Sequence, residues 1–521
     1  MIVRSIILAL SLAALAIRPS TACAASAGEI AASPDTTDAD VRVNPVFGED
    51  RETGSESRRY SFIHYNANRI CLNGADWSGL RHILHEAAAG RGTLDIVHIG
   101  DSHIQAEGNT SRVRRHLQRR YGSAGRGLIT PFRLAGTNQP VDYRITSSAS
   151  FASAKLMRTP WPTAMGFTGI SLAMPASAVS FDISNAQPFD AIAVYGRGEI
   201  SISAITAGSK EVDFDVIDGN NATLAVLDHA VSACTITIDA PGANIYGFEL
   251  RHNDHGVRYH AIGNNGATFS QYNSIGGFGA SLRQLAPDLV IVSLGTNEAF
   301  GKISDEAFMR QIDAFVSDIR THNPGVRILL TTPSECQRSV YTTVRTRRKR
   351  RRRAKIKRVR SFAVNSNVAR LRSAILRYGE QHHIATWDWY DVAGGNGSSA
   401  QWLSSHLLGG DRIHRTWTGY HLEGDLLAEA LDAALTGKAI AKIPASATPA
   451  EPQNDASRSA SNESKTSTST TKHTATAKKS RSSKKKYKST KPSKKRNKGR
   501  RRRRRGNIRP NALSQFRQWK I

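Results

Sequence analysis

Hydrophobic and polar positions recur with two different periods along this chain, and each change of period marks a boundary. Residues 77–88 place Leu80, Ile83, Leu84 and Ala87 on one helical face. A mostly apolar run, 94–99, rich in β-branched types, stops at Gly100, Asp101 and Ser102. Beyond it Val113, Leu117 and Tyr121 recur every four residues, with Arg112, Arg114, Arg115 and Arg119 between them. The pattern predicts a buried parallel strand, a tight turn and an amphipathic helix. From about 132 to 255 the period falls to two. Runs at 178–183, 191–195, 211–216 and 234–238 are separated by Gly, Asn, Pro and Asp, which predicts an antiparallel β-sandwich. After 256, strand-like runs at 256–262, 288–294, 326–330 and 383–389 alternate with helical patterns at 305–320 and 364–378. That alternation predicts a parallel sheet covered on both faces.

The expected organisation is an α/β domain in two parts, 59–131 and 256–436, with a β-module, 132–255, inserted between two elements of one sheet. The ends of such an insert should lie close together, so it should be removable. Residues 25–58, rich in Ala, Ser, Thr, Asp and Glu without periodicity, read as a flexible lead-in. Residues 1–24 read as a signal peptide. Arg4 precedes an apolar run, 5–17, too short to span a bilayer, and Ala22, Cys23 and Ala24 suit cleavage. The mature protein is therefore expected outside the cytoplasm, in the periplasm or secreted. A lipoprotein using Cys23 fits less well, because Ser20 stands where a Leu is wanted. No later run is long enough to cross a membrane.

Charge is unevenly placed. Residues 451–521 hold 24 Lys+Arg against 3 Asp+Glu, and 341–360 hold 12 Lys+Arg and no acid, so of the formal +29 the rest carries about −4. The basicity belongs to an insert, 341–360, and to a low-complexity tail, 437–521, with six arginines from Arg500 to Arg505. Such a tail is expected to be disordered. In an exported protein such a tail is expected to be simply solvated, or else to meet anionic envelope polymers or lipid head groups in preference to nucleic acid. After cleavage Cys71, Cys234 and Cys336 remain, allowing one bridge at most and matching no zinc site.

Acyl transfer needs a nucleophile, a base, a group to orient the base, and oxyanion donors. Ser102, just past a strand end and at a helix start, suits the first role; as a bare helix cap it would be ordinary. Asp411 and His414, three residues apart on one loop, supply the next two. At two further strand ends Gly266 offers a backbone N–H and Asn297 a side-chain amide. Singly each is an ordinary turn residue. Four complementary parts at four strand ends are harder to assign to chance.

Gly100-Asp101-Ser102, Gly266, Gly295-Thr296-Asn297 and Asp411 with His414 occur in the order found in the SGNH (GDSL-type) hydrolases, and the chain resembles that family over roughly 59–131 and 256–436. The resemblance implies a flavodoxin-like three-layer α/β/α fold with Ser102 as nucleophile, His414 as base and Asp411 orienting it. The Ser102 N–H, Gly266 N–H and Asn297 would form the oxyanion hole, with no metal or organic cofactor. His103 in place of the usual Leu, and a β-module between Ser102 and Gly266, are similar to the family's exported peptidoglycan O-acetylesterase-like branch, where the module resembles a carbohydrate-binding one. The basic insert and tail have no counterpart there. His252, His255, His382 and His383 lack a third metal ligand at a telling distance. Trp387 and Trp389 suit either a sugar site or a buried strand. The expected activity is hydrolysis of O-acetyl esters on peptidoglycan or another polysaccharide. Alternatives are an O-acyltransferase with the same triad, and a non-catalytic envelope- or carbohydrate-binding protein.

Overall fold

The computed structural model describes residues 60–219, 222–253, 255–346 and 355–437. The expected signal peptide, the lead-in and the basic tail past 437 lie outside them. In chain order the elements are β1 (Ile70–Cys71), α1 (Ser78–Ala88), β2 (Thr93–Gly100), α2 (Ser102–Gln105), α3 (Thr110–Tyr121), β3 (Gly127–Ile129), β4 (Tyr143–Thr146), β5 (Ala152–Lys155) and β6 (Ile170–Ala173). There follow β7 (Val179–Arg197), β8 (Ser201–Ala207), β9 (Lys210–Glu211), β10 (Phe214–Gly219), β11 (Ala222–Asp239), β12 (Asn244–Arg251) and β13 (Gly256–Gly263). The last part holds α4 (Phe269–Asn273), α5 (Phe278–Leu282), β14 (Leu289–Ser293), α6 (Asp305–His322), β15 (Arg327–Thr331), β16 (Gln337–Thr346), β17 (Lys355–Val364), α7 (Ser366–Gln381), β18 (Ala385–Trp387), α8 (Trp389–Val392), α9 (Ser398–Ser404) and α10 (Trp417–Leu435). None of the described helices is long and apolar enough to cross a membrane.

One sheet has the order β1-β18-β15-β14-β2-β13; all neighbours are parallel except β1 and β18. Taking the five parallel strands in chain order, the sequence across the sheet is 2-1-3-4-5, the flavodoxin-like arrangement. Apolar clusters cover both faces. Val97, Ile99, Val290, Val292 and Ile328 pack under α4 to α7, and Leu94, Ile96, Ile291 and Leu329 pack under α1, α3 and α10. Burial on both sides is why β2 and β14 read as nearly continuous apolar runs. Order reverses at β2 and β14, so the crevice beyond their carboxyl ends is where such sheets bind ligands.

The second sheet is antiparallel and ten-stranded, with β7 and β11 at its centre. The two expected strands at 178–183 and 191–195 are halves of β7, a 19-residue strand. Asn185 and Pro188 between them mark a bend. There β7 exchanges partners, and its pairing with β11 shifts register between Val226 and Ala233. Phe181 in the first half meets Phe248, whose strand pairs with the second half, at 5.3 Å between rings. The sheet thus doubles back around its own core of Ile145, Phe181, Ile192, Ile236 and Phe248. Bulged strands that run through both layers make such corners.

This sheet is joined to the first by more than two chain crossings. Leu128 of β3 pairs with Glu249 of β12, and its N–H donates to Nδ1 of His260 in β13. His260 Nε2 donates to Asp95 Oδ1 at 3.2 Å, and Arg258 reaches Asp95 at 2.7 Å and Glu249 at 3.4 Å. Leu156, Phe167, Ala193 and Tyr195 belong to the same apolar cluster as Val97 and Ile262. Asp142 pairs with Arg126 at 3.0 Å and with Arg114 of α3. The expected removable insert therefore shares a core with the α/β sheet.

The described ends of the basic insert pair as the two strands of a hairpin. β16 and β17 pair antiparallel over ten positions, from Gln337 opposite Val364 to Thr346 opposite Lys355. Among the described residues Cys71, Cys234 and Cys336 are buried and form no disulfide.

Candidate active site

β2 delivers Ser102 to the sheet edge through a crowded turn. A Cβ on Gly100 would sit 2.9 Å from the Ser293 carbonyl of β14, so only glycine lets the two strands end side by side. Asp101 caps α2, accepting the His103 N–H at 2.9 Å. The expected helix through Ser102 is broken. α2 is a single turn, Glu107 takes φ +56°, and α3 starts at Thr110. Glu107 turns aside because its carboxylate meets Arg114 and Arg126, both at 2.9 Å, inside the protein. The oxyanion preference expected from a long helix is thus reduced to the local N–H groups.

Ser102 Oγ lies 2.8 Å from His414 Nε2, and His414 Nδ1 lies 2.7 Å from Asp411 Oδ2. Asp411 Oδ1 also accepts the N–H groups of Ile413 and His414, each at 3.0 Å. Burial pushes Asp411 up, but the His414 hydrogen bond and the Ile413 N–H outweigh it and hold it below the usual carboxylate range. An ionised Asp411 fixes the proton of His414 on Nδ1 and leaves Nε2 free to take the Ser102 proton.

Gly266 has φ +82°, and a Cβ there would have only Met157 Cε near it, at 3.5 Å. Backbone conformation, not crowding, demands glycine. Its loop is braced from the side. Gln105 Oε1 accepts the Asn265 N–H at 2.7 Å, and Asn138 accepts from Gln105 Nε2 at 2.8 Å and from Asn265 Nδ2 at 2.7 Å. Asn138 belongs to the segment expected to be a separate module. Asn297 Nδ2 lies 3.0 Å from Asp101 Oδ2 and 3.0 Å from the Ala267 carbonyl. Both its N–H bonds have acceptors in the free protein, so donation to an oxyanion means sharing or releasing one of them.

Contacts between residues far apart in the sequence complete the edge. Arg415 and Tyr420 both donate to Nδ1 of His103, at 3.1 and 3.0 Å, so His103 carries its proton on Nε2. Burial, then the charges of Arg415 and His414, push His103 far below its ordinary pKa. It stays neutral 5.3 Å from the His414 ring and adds no like charge there. Arg415 also pairs with Glu423 at 3.1 Å, which anchors the His414 loop to α10. An Arg beside the His was the one local signal for this. Glu298, next to Asn297, accepts the Phe269 N–H at 2.8 Å, while its Oε2 is buried without a partner.

Burial raises Glu298 to about 7, against the pull of the Phe269 N–H. A carboxyl raised this way contributes stability that is full below its ordinary value and is lost as pH climbs through about 7. Relative to wild type, Glu298→Gln should therefore gain stability between pH 5 and 8, at roughly 1.4 kcal/mol per pH unit at most. Paired melting curves across that range test it; a constant gap contradicts it.

Asp95, Glu249 and His260 form a group, within 4.8 Å of one another, that could hold a metal ion. Arg258 and Arg251 already neutralise its carboxylates, and it lies toward the opposite end of β2 from Ser102. Trp387 and Trp389 stack on each other at 4.9 Å inside the core, with Trp389 2% exposed, so they line no sugar site. His252 binds Asp190, His383 binds the Asn73 carbonyl, and His382 stacks on Tyr378.

The sequence profile of the GDSL-like lipase/acylhydrolase family matches residues 239–422, a span that contains Gly266, Asn297, Asp411 and His414 but not Ser102. No curated protein matches the chain. Among solved structures, a peptidoglycan O-acetylesterase superposes with a TM-score of 0.57 at 22% identity, covering 71% of this chain and 99% of that one. An Enterococcus faecalis lipase/acylhydrolase aligns at 18% identity over 36% of this chain and 81% of that one, with a TM-score of 0.24. A Clostridium thermocellum family two carbohydrate esterase aligns at 11% over 57% and 98%, with a TM-score of 0.23. The fold is the one shared with the first of these. The family match over residues 239–422 and the shared fold together support a GDSL-like lipase/acylhydrolase domain of the SGNH type, a hydrolase of ester bonds.

Proposed function

We propose that the protein is an exported serine esterase that removes O-acetyl groups from a polysaccharide, peptidoglycan or a related envelope glycan. The observation that carries the reading is the unbroken line from Ser102 Oγ through His414 to Asp411, at 2.8 and 2.7 Å. Ser102 Oγ attacks the acetyl carbonyl while His414 Nε2 takes its proton. The oxyanion forms against the N–H groups of Ser102 and Gly266 and the amide of Asn297. As the intermediate collapses, His414 returns the proton to the departing sugar oxygen, and the acetyl group stays on Ser102. Water, deprotonated by His414, then releases acetate. Asp411 supports each imidazolium stage.

The glycan part of the reading is supported by the likeness to a peptidoglycan O-acetylesterase over nearly that protein's whole length. Export is supported by the signal-like residues 1–24. The reading is tested by acetate release from O-acetylated peptidoglycan and from 4-nitrophenyl acetate, with hydroxylamine-deacetylated glycan as blank. Release from both is expected. Hydrolysis of long-chain acyl esters alone would contradict the glycan assignment.

A further inference from the structure

The β16–β17 hairpin leaves the carboxyl edge of β15 and returns into α7, so its base stands beside the His414 loop. The Gln337 N–H donates to the Arg412 carbonyl at 3.0 Å, and the Asn365 N–H to the Cys336 carbonyl at 2.9 Å. Arg412, between Asp411 and His414, has φ +68°, a strained value for a residue with a side chain. Its guanidinium lies over the Phe362 ring of β17, at 4.9 Å. The hairpin thus grips the loop that carries the base.

Alternation puts Ser339, Tyr341 and Thr343 on one face of the ribbon with their partners Phe362, Arg360 and Arg358. On that face Arg360 lies over Phe362 at 4.8 Å, and Arg358 over Tyr341 at 4.1 Å. Arg360 is also held by Ser339 Oγ, to which its Nε donates at 2.9 Å. The result is a stripe of guanidinium groups and rings that starts at Arg412 and runs outward. Tyr341 is 52% exposed. Residues 337–364 contain no acid, and Arg358, Arg360 and Arg412 enter none of the ion pairs among the described residues. A two-stranded ribbon exposed on both faces gains little stability of its own. Packing does not explain two cations and two rings on one face of it, with a third cation, Arg412, reaching in from the His414 loop.

We propose that this stripe is a polymer-binding extension of the esterase site that takes an acidic glycan, its carboxylates on Arg358, Arg360 and Arg412 and its sugar rings against Tyr341 and Phe362. Guanidinium forks match carboxylates in two-point geometry, and ring stacking holds them pre-aligned. Continuity with the His414 loop favours a chain that also enters the catalytic edge over a lipid surface. The proposal rests on the esterase reading for its substrate.

The test uses the full chain. Acetate release is compared on O-acetylated polygalacturonate and on O-acetylated xylan, acidic and neutral polymers respectively. In Arg358→Gln/Arg360→Gln the acidic-to-neutral ratio of kcat/KM should fall about tenfold, through KM. A charge-matched control on exposed positions elsewhere, Arg283→Gln/Arg310→Gln, should keep the wild-type ratio. Release from xylan reports that each variant is folded. The wild-type preference should also vanish near 1 M salt, where the Debye length is about 3 Å. An unchanged ratio in the hairpin variant overturns the proposal. Binding of Ser102→Ala protein to polygalacturonate, with and without the hairpin substitutions, is read separately by affinity electrophoresis. If the wild type releases no acetate from any polymer but this binding depends on the hairpin, the esterase reading fails and the binding site stands. If the hairpin substitutions alter retention on phosphatidylglycerol vesicles and not on polygalacturonate, the occupant is a lipid surface and the proposal is wrong.

Discussion

Ser102→Ala and His414→Ala should each lower kcat on 4-nitrophenyl acetate by roughly 10⁴–10⁶-fold. The two losses should not add in the double variant, since the side chains act as one unit through their 2.8 Å contact. Folding should be retained. Among the described residues Ser102 Oγ bonds to His414, and neither side chain belongs to an apolar cluster. Asn297→Ala should cost less, roughly 10²–10³-fold, as the loss of one oxyanion donor does. Its amide also ties Asp101 to the Ala267 carbonyl, so part of that loss will reflect a loosened edge. Initial rates at saturating ester, with circular dichroism as the check on folding, decide each case. Turnover within tenfold of wild type in folded Ser102→Ala contradicts the assignment.

Replacing residues 132–255 by a short Gly/Ser linker should abolish folding, not merely polymer recognition. The excision removes Leu156, Phe167, Ala193 and Tyr195 from the cluster around Val97 and Ile262. Truncating one buried aromatic costs about 3–5 kcal/mol, and a domain's whole stability is about 5–15 kcal/mol. It also takes Asp142 from Arg114 and Arg126 and Glu249 from Arg258, which leaves buried cations with fewer partners. Finally it takes Asn138 from the brace on the Gly266 loop. Soluble expression followed by a thermal melt is the measurement. A cooperative melt with full small-ester activity would show that the two sheets are independent.

The parts of the site that lie in short local strings were legible in the sequence. Gly100-Asp101-Ser102 ends a buried run, and Asp411 and His414 share a loop, so their types and spacing carried the reading. The parallel sheet was legible for the same reason, because burial on both faces leaves unbroken apolar runs in β2 and β14. What stayed hidden depends on pairing between distant residues. Nothing local to Asn297 announces Asp101 as its acceptor, and nothing near Arg415 announces His103 and Glu423. Turn-forming residues misled at Asn185 and Pro188, where β7 bends without ending. Charge misled at 341–360, where a run of Lys and Arg hid a ribbon whose alternate positions carry Tyr341 and Phe362. The break after α2 was also unreadable, since Glu107 is pulled out of helix by arginines at 114 and 126.

Covalent trapping tests the central claim most directly. Full-length protein is incubated with diisopropyl fluorophosphate, digested, and mapped by mass spectrometry, alongside Ser102→Ala and His414→Ala. One phosphoryl group per chain on the peptide carrying Ser102, greatly slowed in His414→Ala and absent in Ser102→Ala, is the predicted result. An active enzyme labelled at another residue, or one that stays unlabelled while its esterase activity persists, would contradict it.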